Sequence, residues 1–134
     1  MKLSKKCEYA LLALIELARE FDKGTIVSAD TLAGRYDMPK KFLETILSKL
    51  KSEAIVEVYR GPRGGYKLAK DPSLIYVAKI IRLIDGPIAP LDSVSVHFYK
   101  SSPLEKEAKT ITMFKNIRDY ASDMLENTSL RDLT

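Results

Sequence analysis

The sequence predicts a mainly α fold with one small β-hairpin: a winged helix-turn-helix followed by a long C-terminal helix. Three observations predict it. Two short helical segments meet at a tight turn that ends at Pro39. A glycine-rich run, Gly61-Pro62-Arg63-Gly64-Gly65, separates two β-prone stretches. Apolar residues then recur at helical spacing from about Leu104 onward. The 134 residues, 46% hydrophobic and 30% charged, suit one small globular domain with a modest core. A chain of this size gains extra burial by leaning a peripheral helix on a second subunit.

Each element follows from its residues. From Ser4 to about Asp22, Cys7, Leu11, Leu14, Ala18 and Phe21 form the stripe of an amphipathic helix, which Lys23-Gly24 stops. Ser28 offers a hydroxyl cap to a helix of barely two turns that ends near Tyr36-Asp37. Pro39 has a fixed φ suited to a helix entrance, and Phe42, Leu43, Ile46, Leu47 and Leu50 give the next helix a buried face through about Ser52. Ile55 to Arg60 and Tyr66 to Leu68 read as the strands of a hairpin with a long tip. Asp71-Pro72 ends it. Val77, Ile80, Ile81 and Ile84 mark a further helix closed by Gly86-Pro87. Residues 87–103 hold Pro87, Pro90 and Pro103 and read as a loop. The last helix runs from about Leu104, with Ala108, Ile111, Phe114, Ile117, Ala121 and Met124 joined by Met113, Tyr120 and Leu125. That apolar face is too wide for so small a core to cover. The predicted division is residues 1–86 as a winged helix-turn-helix, 87–103 as a loop, and 104–134 as a dimerisation helix and tail, with Ile111, Phe114, Ile117, Ala121 and Met124 forming the dimer seam.

Charge is unevenly spread. The first 70 residues hold 14 Lys and Arg against 9 Asp and Glu, whereas the remainder holds 8 against 9. A polyanion partner is therefore expected at the first half. The single Cys7 excludes an internal disulfide and any site built from several thiolates, and the single His97 leaves few nitrogen ligands. No signal peptide is legible, because Glu8, Glu16 and Arg19 interrupt the apolar residues near the start. No stretch approaches the roughly 18 apolar residues of a membrane span, so the expectation is a soluble, cytoplasmic protein.

The polar face of the third helix carries the chemistry. Lys41, Thr45, Ser48 and Ser52 follow at spacings of four, three and four, flanked by Lys40, Glu44 and Lys51. An α-helix fits the DNA major groove, where lysines neutralise phosphates or meet guanine acceptors, short hydroxyls allow close approach, and a carboxylate accepts from a cytosine amine. Arg60 and Arg63 bracket Gly61-Pro62, placing guanidinium groups on a thin hairpin tip suited to a minor groove. Double-stranded DNA is thus the expected partner, with Lys40, Lys41, Glu44, Thr45, Ser48, Lys51, Arg60 and Arg63 as the candidate contacts. Taken singly, a lysine-bearing helix face is a solvated surface and a glycine run is a turn; their order along the chain is what joins them. The glycine run is no phosphate-cradling loop, since it lies between strands and no Lys-Ser or Lys-Thr follows it.

At these residues the chain resembles a family of bacterial winged-helix regulators that includes the iron–sulfur cluster assembly regulator, the nitric-oxide-sensitive repressor and the cysteine-metabolism repressor. The resemblance spans nearly the whole chain. Its marks are Met1-Lys2-Leu3-Ser4 with Glu8-Tyr9-Ala10-Leu11, Phe42-Leu43-Glu44 with Leu47 and Leu50, Val58 to Tyr66 with its Arg-Gly-Pro-x-Gly-Gly-Tyr core, Ile80-Ile81-Arg82 to Asp85-Gly86-Pro87, and the ending Thr128 to Leu133. The resemblance implies a homodimeric transcription factor whose last helix crosses the partner and whose paired recognition helices read a near-palindromic operator. By position it implies major-groove reading by Lys41, Glu44 and Thr45 and minor-groove reading by Arg60. Lys41 and Thr45 depart from the family's usual residues, so the operator is not borrowed from relatives. Pro39 stands where a capping Ser is usual, so other groups must satisfy that helix start.

Cluster-binding relatives carry three cysteines before the last helix, and residues 87–110 here contain none. Thiolates are the ligands that hold iron–sulfur clusters, so no cluster and no other cofactor is expected. An unidentified effector remains open. Cys7 is either a redox switch, being near a helix start beside Lys5 and Lys6, or a buried thiol in register with Leu11 and Leu14; the second reading is favoured. His97 reads as a surface loop residue. The favoured function is a DNA-binding regulator, a repressor rather than an activator, since occupying a promoter is enough to block it. The alternative is a winged-helix adaptor that grips a protein partner. No enzyme is expected, since no catalytic set of Ser, His and Asp and no distinctive carboxylate pair stands out.

Overall fold

The computed structural model describes residues 1–134. Five α-helices and one hairpin follow in the order α1 Lys5–Glu20, α2 Ala29–Tyr36, α3 Lys40–Ser52, β1 Val56–Tyr59, β2 Gly65–Leu68, α4 Val77–Asp85 and α5 Ala108–Glu126. Short 3-10 turns at Pro72–Leu74, Asp92–Val94, Pro103–Lys106 and Arg131–Leu133 connect or close them. No helix is long and apolar enough to cross a membrane.

Local chemistry sets the boundaries. The Ser4 hydroxyl accepts from the Cys7 amide at 3.0 Å and starts α1; the Ser28 hydroxyl accepts from the Thr31 amide at 3.1 Å and starts α2. Asp37, at φ 52°, closes α2 in the left-handed conformation, and Met38, buried beneath the turn, donates its amide to the Ala33 carbonyl at 2.8 Å. Pro39 then enters α3 with no side-chain cap, as its chemistry requires. The last helix begins at Ala108 rather than Leu104. Pro103 opens a separate 3-10 turn whose capping box, Ser102 with Glu105, satisfies that start locally, and Glu107 at φ −101° and ψ 84° interrupts helical geometry before α5.

The main core lies beneath α1, α2, α3 and the hairpin, where Leu14, Leu17, Leu32, Leu43, Ile46, Leu47, Leu50, Ile55 and Leu68 are all fully buried. A second, smaller cluster of Cys7, Val77, Ala78, Ile81 and Ile88 joins α1 to α4, and Ala121 and Leu125 of α5 pack against it. The tail beyond α5 returns to the first half. Val77 donates its amide to the Thr128 carbonyl and Leu130 donates to the Ile75 carbonyl, both at 2.9 Å, which sinks the Leu130 side chain into the main core. Arg131 reaches both Asp22, at 2.7 Å, and Asp71, at 3.2 Å. The tail is therefore part of the winged half's packing, not a free appendage of α5.

The wide apolar face of α5 divides in two. Ile111 is buried in its own chain, and Phe114, Ala121 and Leu125 are half-buried. Met113, Ile117, Tyr120 and Met124, at spacings of four, three and four, stay exposed, Tyr120 at 73%. Of the five residues predicted for the dimer seam, Ile117 and Met124 lie on the exposed stripe, whereas Ile111 serves the intrachain core.

Candidate nucleic-acid interface

The candidate recognition helix α3 buries Leu43, Ile46, Leu47 and Leu50 and turns Lys40, Lys41, Glu44, Thr45, Ser48, Lys49, Lys51 and Ser52 to solvent. Its entry is fixed from α1 by an edge-to-face contact of Tyr9 with Phe42, ring centroids 5.7 Å apart. Glu44, Thr45, Ser48, Lys49 and Ser52 line one shallow groove with no apolar member. The sequence reading missed Lys49, although the spacing Lys41, Thr45, Lys49 carried the signal. Lys51 lies instead around the helix toward β1, beside Ala54, Val58 and Tyr59.

The hydroxyls on this face are not equivalent. Thr45 donates its Oγ1 proton to the Lys41 carbonyl at 3.0 Å, and Ser52 donates to the Lys49 carbonyl at 2.7 Å. With the proton committed inward, each presents lone pairs outward as an acceptor, the complement of an adenine or cytosine amine; the Thr45 methyl also suits a thymine methyl. Ser48 makes no side-chain bond within the chain and stays free to donate or accept.

The hairpin pairs antiparallel, Val56 with Leu68 through Tyr59 with Gly65, and leaves residues 60–64 as its tip. Backbone bonds hold it to the segment before α2: Val27 donates to the Tyr66 carbonyl at 2.9 Å, and Tyr66 donates to the Val27 carbonyl at 2.8 Å. Gly65 permits this approach, because a Cβ there would lie 2.4 Å from the Val27 carbonyl oxygen. The wing is thus fixed relative to the helix-turn-helix by backbone. Tyr66 also faces α3: burial, then the nearby Glu44 carboxylate, raises its phenol above the ordinary range, and the Lys40 ammonium partly opposes them.

Lys41, Lys49, Lys51, Arg60 and Arg63 are exposed and make no ion pair within the chain. Lys40 differs, since its ammonium lies 2.9 Å from an Asp30 carboxylate oxygen in the first turn of α2. The structure therefore brings Glu44, Thr45 and Ser48 together on one face, sets Arg60 and Arg63 on the wing tip, and commits Lys40 to an internal partner.

A helix-turn-helix whose second helix presents a polar, cationic face, braced by a wing that ends in two unpaired guanidinium groups, defines a winged-helix DNA-binding regulator. Comparison with known proteins narrows the class. Residues 3–134 match the model of the Rrf2 family, described as iron-dependent transcriptional regulators, and the chain belongs to that family. The HTH-type transcriptional regulator CymR of Bacillus subtilis is 32% identical over 133 residues, covering 99% of this chain and 89% of that protein. The IscR regulator of Cereibacter sphaeroides is 30% identical over 134 residues, covering 99% and 86%. Among solved structures, that of CymR, the global cysteine regulator of B. subtilis, superposes with a TM-score of 0.85 at 32% identity over 99% of this chain and 95% of that one. T. potens IscR superposes at 0.76 with 26% identity, covering 99% and 85%. The protein is a transcriptional regulator and not an enzyme.

The family description implies iron, and the donor set here does not fit it. Cys7 is the only thiol and is fully buried. Burial pushes its pKa up to about 12, and the neighbouring Asp85 carboxylate adds to the shift, so the thiolate that iron needs is disfavoured. No three His, Cys, Asp or Glu side chains converge in ligand geometry. His97 lies exposed on the loop before α5. The buried, uncharged Cys7 also removes the basis for a thiolate redox switch.

Proposed function

We propose that this regulator acts in the cytoplasm as a homodimer that reads a near-palindromic double-stranded operator and represses by occupying it. In this reading α3 enters the major groove, with Lys41, Glu44, Thr45 and Ser48 at base edges and Lys49 and Lys51 on phosphates, while Arg60 and Arg63 enter the adjacent minor groove. One observation carries it: Lys41, Lys49 and Lys51 of α3 and Arg60 and Arg63 of the wing tip have no ion-pair partner within the chain, whereas every other arginine, Arg19, Arg35, Arg82, Arg118 and Arg131, is paired. Unpaired guanidinium groups on a backbone-fixed tip suit a polyanion.

The exposed stripe of Met113, Ile117, Tyr120 and Met124 supports the dimer. It runs along one side of a 19-residue helix, and a second α5 crossing it would cover apolar surface that the chain's own core leaves bare. Sedimentation of Ile117→Glu tests this. A dimeric parent and a folded monomeric variant are expected, because a carboxylate at the seam loses its solvation. A variant that sediments as the parent does would remove α5 from the interface. No cofactor enters this reading.

A further inference from the structure

The one lysine of α3 that is not free is Lys40, its first residue. Its ammonium is held 2.9 Å from Asp30, which stands in the first turn of α2 and is itself 77% exposed at the side chain. Glu44, one helical turn along α3, adds a second carboxylate whose field also reaches Lys40. The N-terminal end of the recognition helix thus carries one ammonium between two carboxylates, whereas the lysines at 41, 49 and 51 have no such partner. Lys40 was expected among the DNA contacts on its sequence position alone; its ammonium has an intrachain partner that the other lysines of α3 lack.

We propose that Asp30 tunes DNA affinity by occupying Lys40, standing where a phosphate would otherwise stand, so that Lys40 acts as a positioning residue rather than a phosphate contact. This rests on the DNA-binding reading above. A lysine that binds a phosphate displaces a condensed counterion, so it adds about 0.9 to the slope of log affinity against log salt. A lysine whose charge is matched by an intrachain carboxylate adds little. Removing the carboxylate then releases an ammonium at the mouth of the recognition helix, and a phosphate takes the place of Asp30.

The test is a salt titration of binding to a labelled mixed-sequence duplex, on which affinity is set by phosphate contacts, with the parent, Asp30→Asn, Lys40→Met, the double variant, and Lys49→Met as the reference for a free lysine on a phosphate. Both side chains at positions 30 and 40 are half or more exposed, so the fold is retained. Lys49→Met should flatten the slope by about 0.9, whereas Lys40→Met should leave it at the parent's value. Asp30→Asn should steepen the slope by about 0.9 and tighten binding about two- to fivefold, the range of an exposed ion pair. Both gains should vanish in the double variant. A Lys40→Met slope as flat as that of Lys49→Met would overturn the proposal, because Lys40 would already be on a phosphate. Equal tightening by Asp30→Asn with and without Lys40 would overturn it too, since Asp30 would then act by repelling DNA directly. A parent that binds no duplex would refute the DNA reading itself, and this inference with it.

Discussion

Gly65→Ala should displace the wing, and the structure sets the scale. An added Cβ would lie 2.4 Å from the Val27 carbonyl oxygen, 2.6 Å from its carbon and 2.9 Å from the Ser28 nitrogen, all backbone, so no side-chain rotation relieves the clash. The hairpin must move away from the segment before α2 and give up the paired bonds between Val27 and Tyr66, at 2.9 and 2.8 Å. Two net backbone bonds at about 0.5–1.5 kcal/mol each amount to about 1–3 kcal/mol of lost stability. Ala also lowers the entropy of the unfolded chain, which returns about 0.4–1 kcal/mol. Gly34→Ala isolates that second effect: Gly34 sits inside α2 with nothing within 4 Å of its added Cβ, so it should stabilise by a similar 0.4–1 kcal/mol. Urea unfolding followed by circular dichroism measures both. DNA affinity should fall for Gly65→Ala and hold for Gly34→Ala, because only the first moves Arg60 and Arg63. A Gly65→Ala protein as stable as the parent, with undiminished affinity, would refute the claim that the Val27 pairing fixes the wing.

Two further outcomes follow from titrating groups. Cys7, its thiol pushed up to about 12 by burial, should react with an aromatic disulfide reagent at pH 8 only as fast as the protein unfolds; an immediate stoichiometric reaction of the native protein would contradict the packing of α1 on α4. Asp71 is held down to about 2 by hydrogen bonds from Ser73 and then from Arg131, against about 4 when unfolded. A depressed carboxyl contributes stability that is present above the unfolded value and lost as pH falls toward the folded one, so the parent should weaken between about pH 4 and pH 2. Asp22 and Asp132 are lowered in the same direction and share the effect. Asp71→Asn should therefore show a shallower loss over that window in pH-dependent urea unfolding; parallel profiles would remove Asp71 from the bracing of the tail.

The elements built by local chemistry were legible in the sequence. Ser28 and Pro39 mark helix starts because a hydroxyl cap and a fixed φ act within one turn, and Gly61 to Gly65 mark a hairpin tip because few other residues tolerate that backbone. The exposed positions Lys41, Glu44, Thr45 and Ser48 followed from the same periodicity that buried Leu43, Ile46 and Leu50. What escaped depends on partners distant in the chain. Ile111 and Met113 are equally apolar neighbours on one helix, and only the packing of α5 decides that the first is buried and the second exposed. Leu130 lies beyond the last long helix, and nothing local announces that two backbone bonds draw it into the main core. The Asp30–Lys40 pair spans the turn between α2 and α3, so residue spacing alone could not distinguish Lys40 from the free Lys41.

In the proposed reading the wing and the recognition helix act together on DNA. Selection of genomic fragments by the purified protein, run beside Arg60→Ala at low and near-physiological salt, measures this. The expected result is enrichment of one shared near-palindrome by the parent, lost or sharply reduced with Arg60→Ala while that variant unfolds as the parent does. Equal enrichment by both proteins, or none by the parent at either salt, would contradict it.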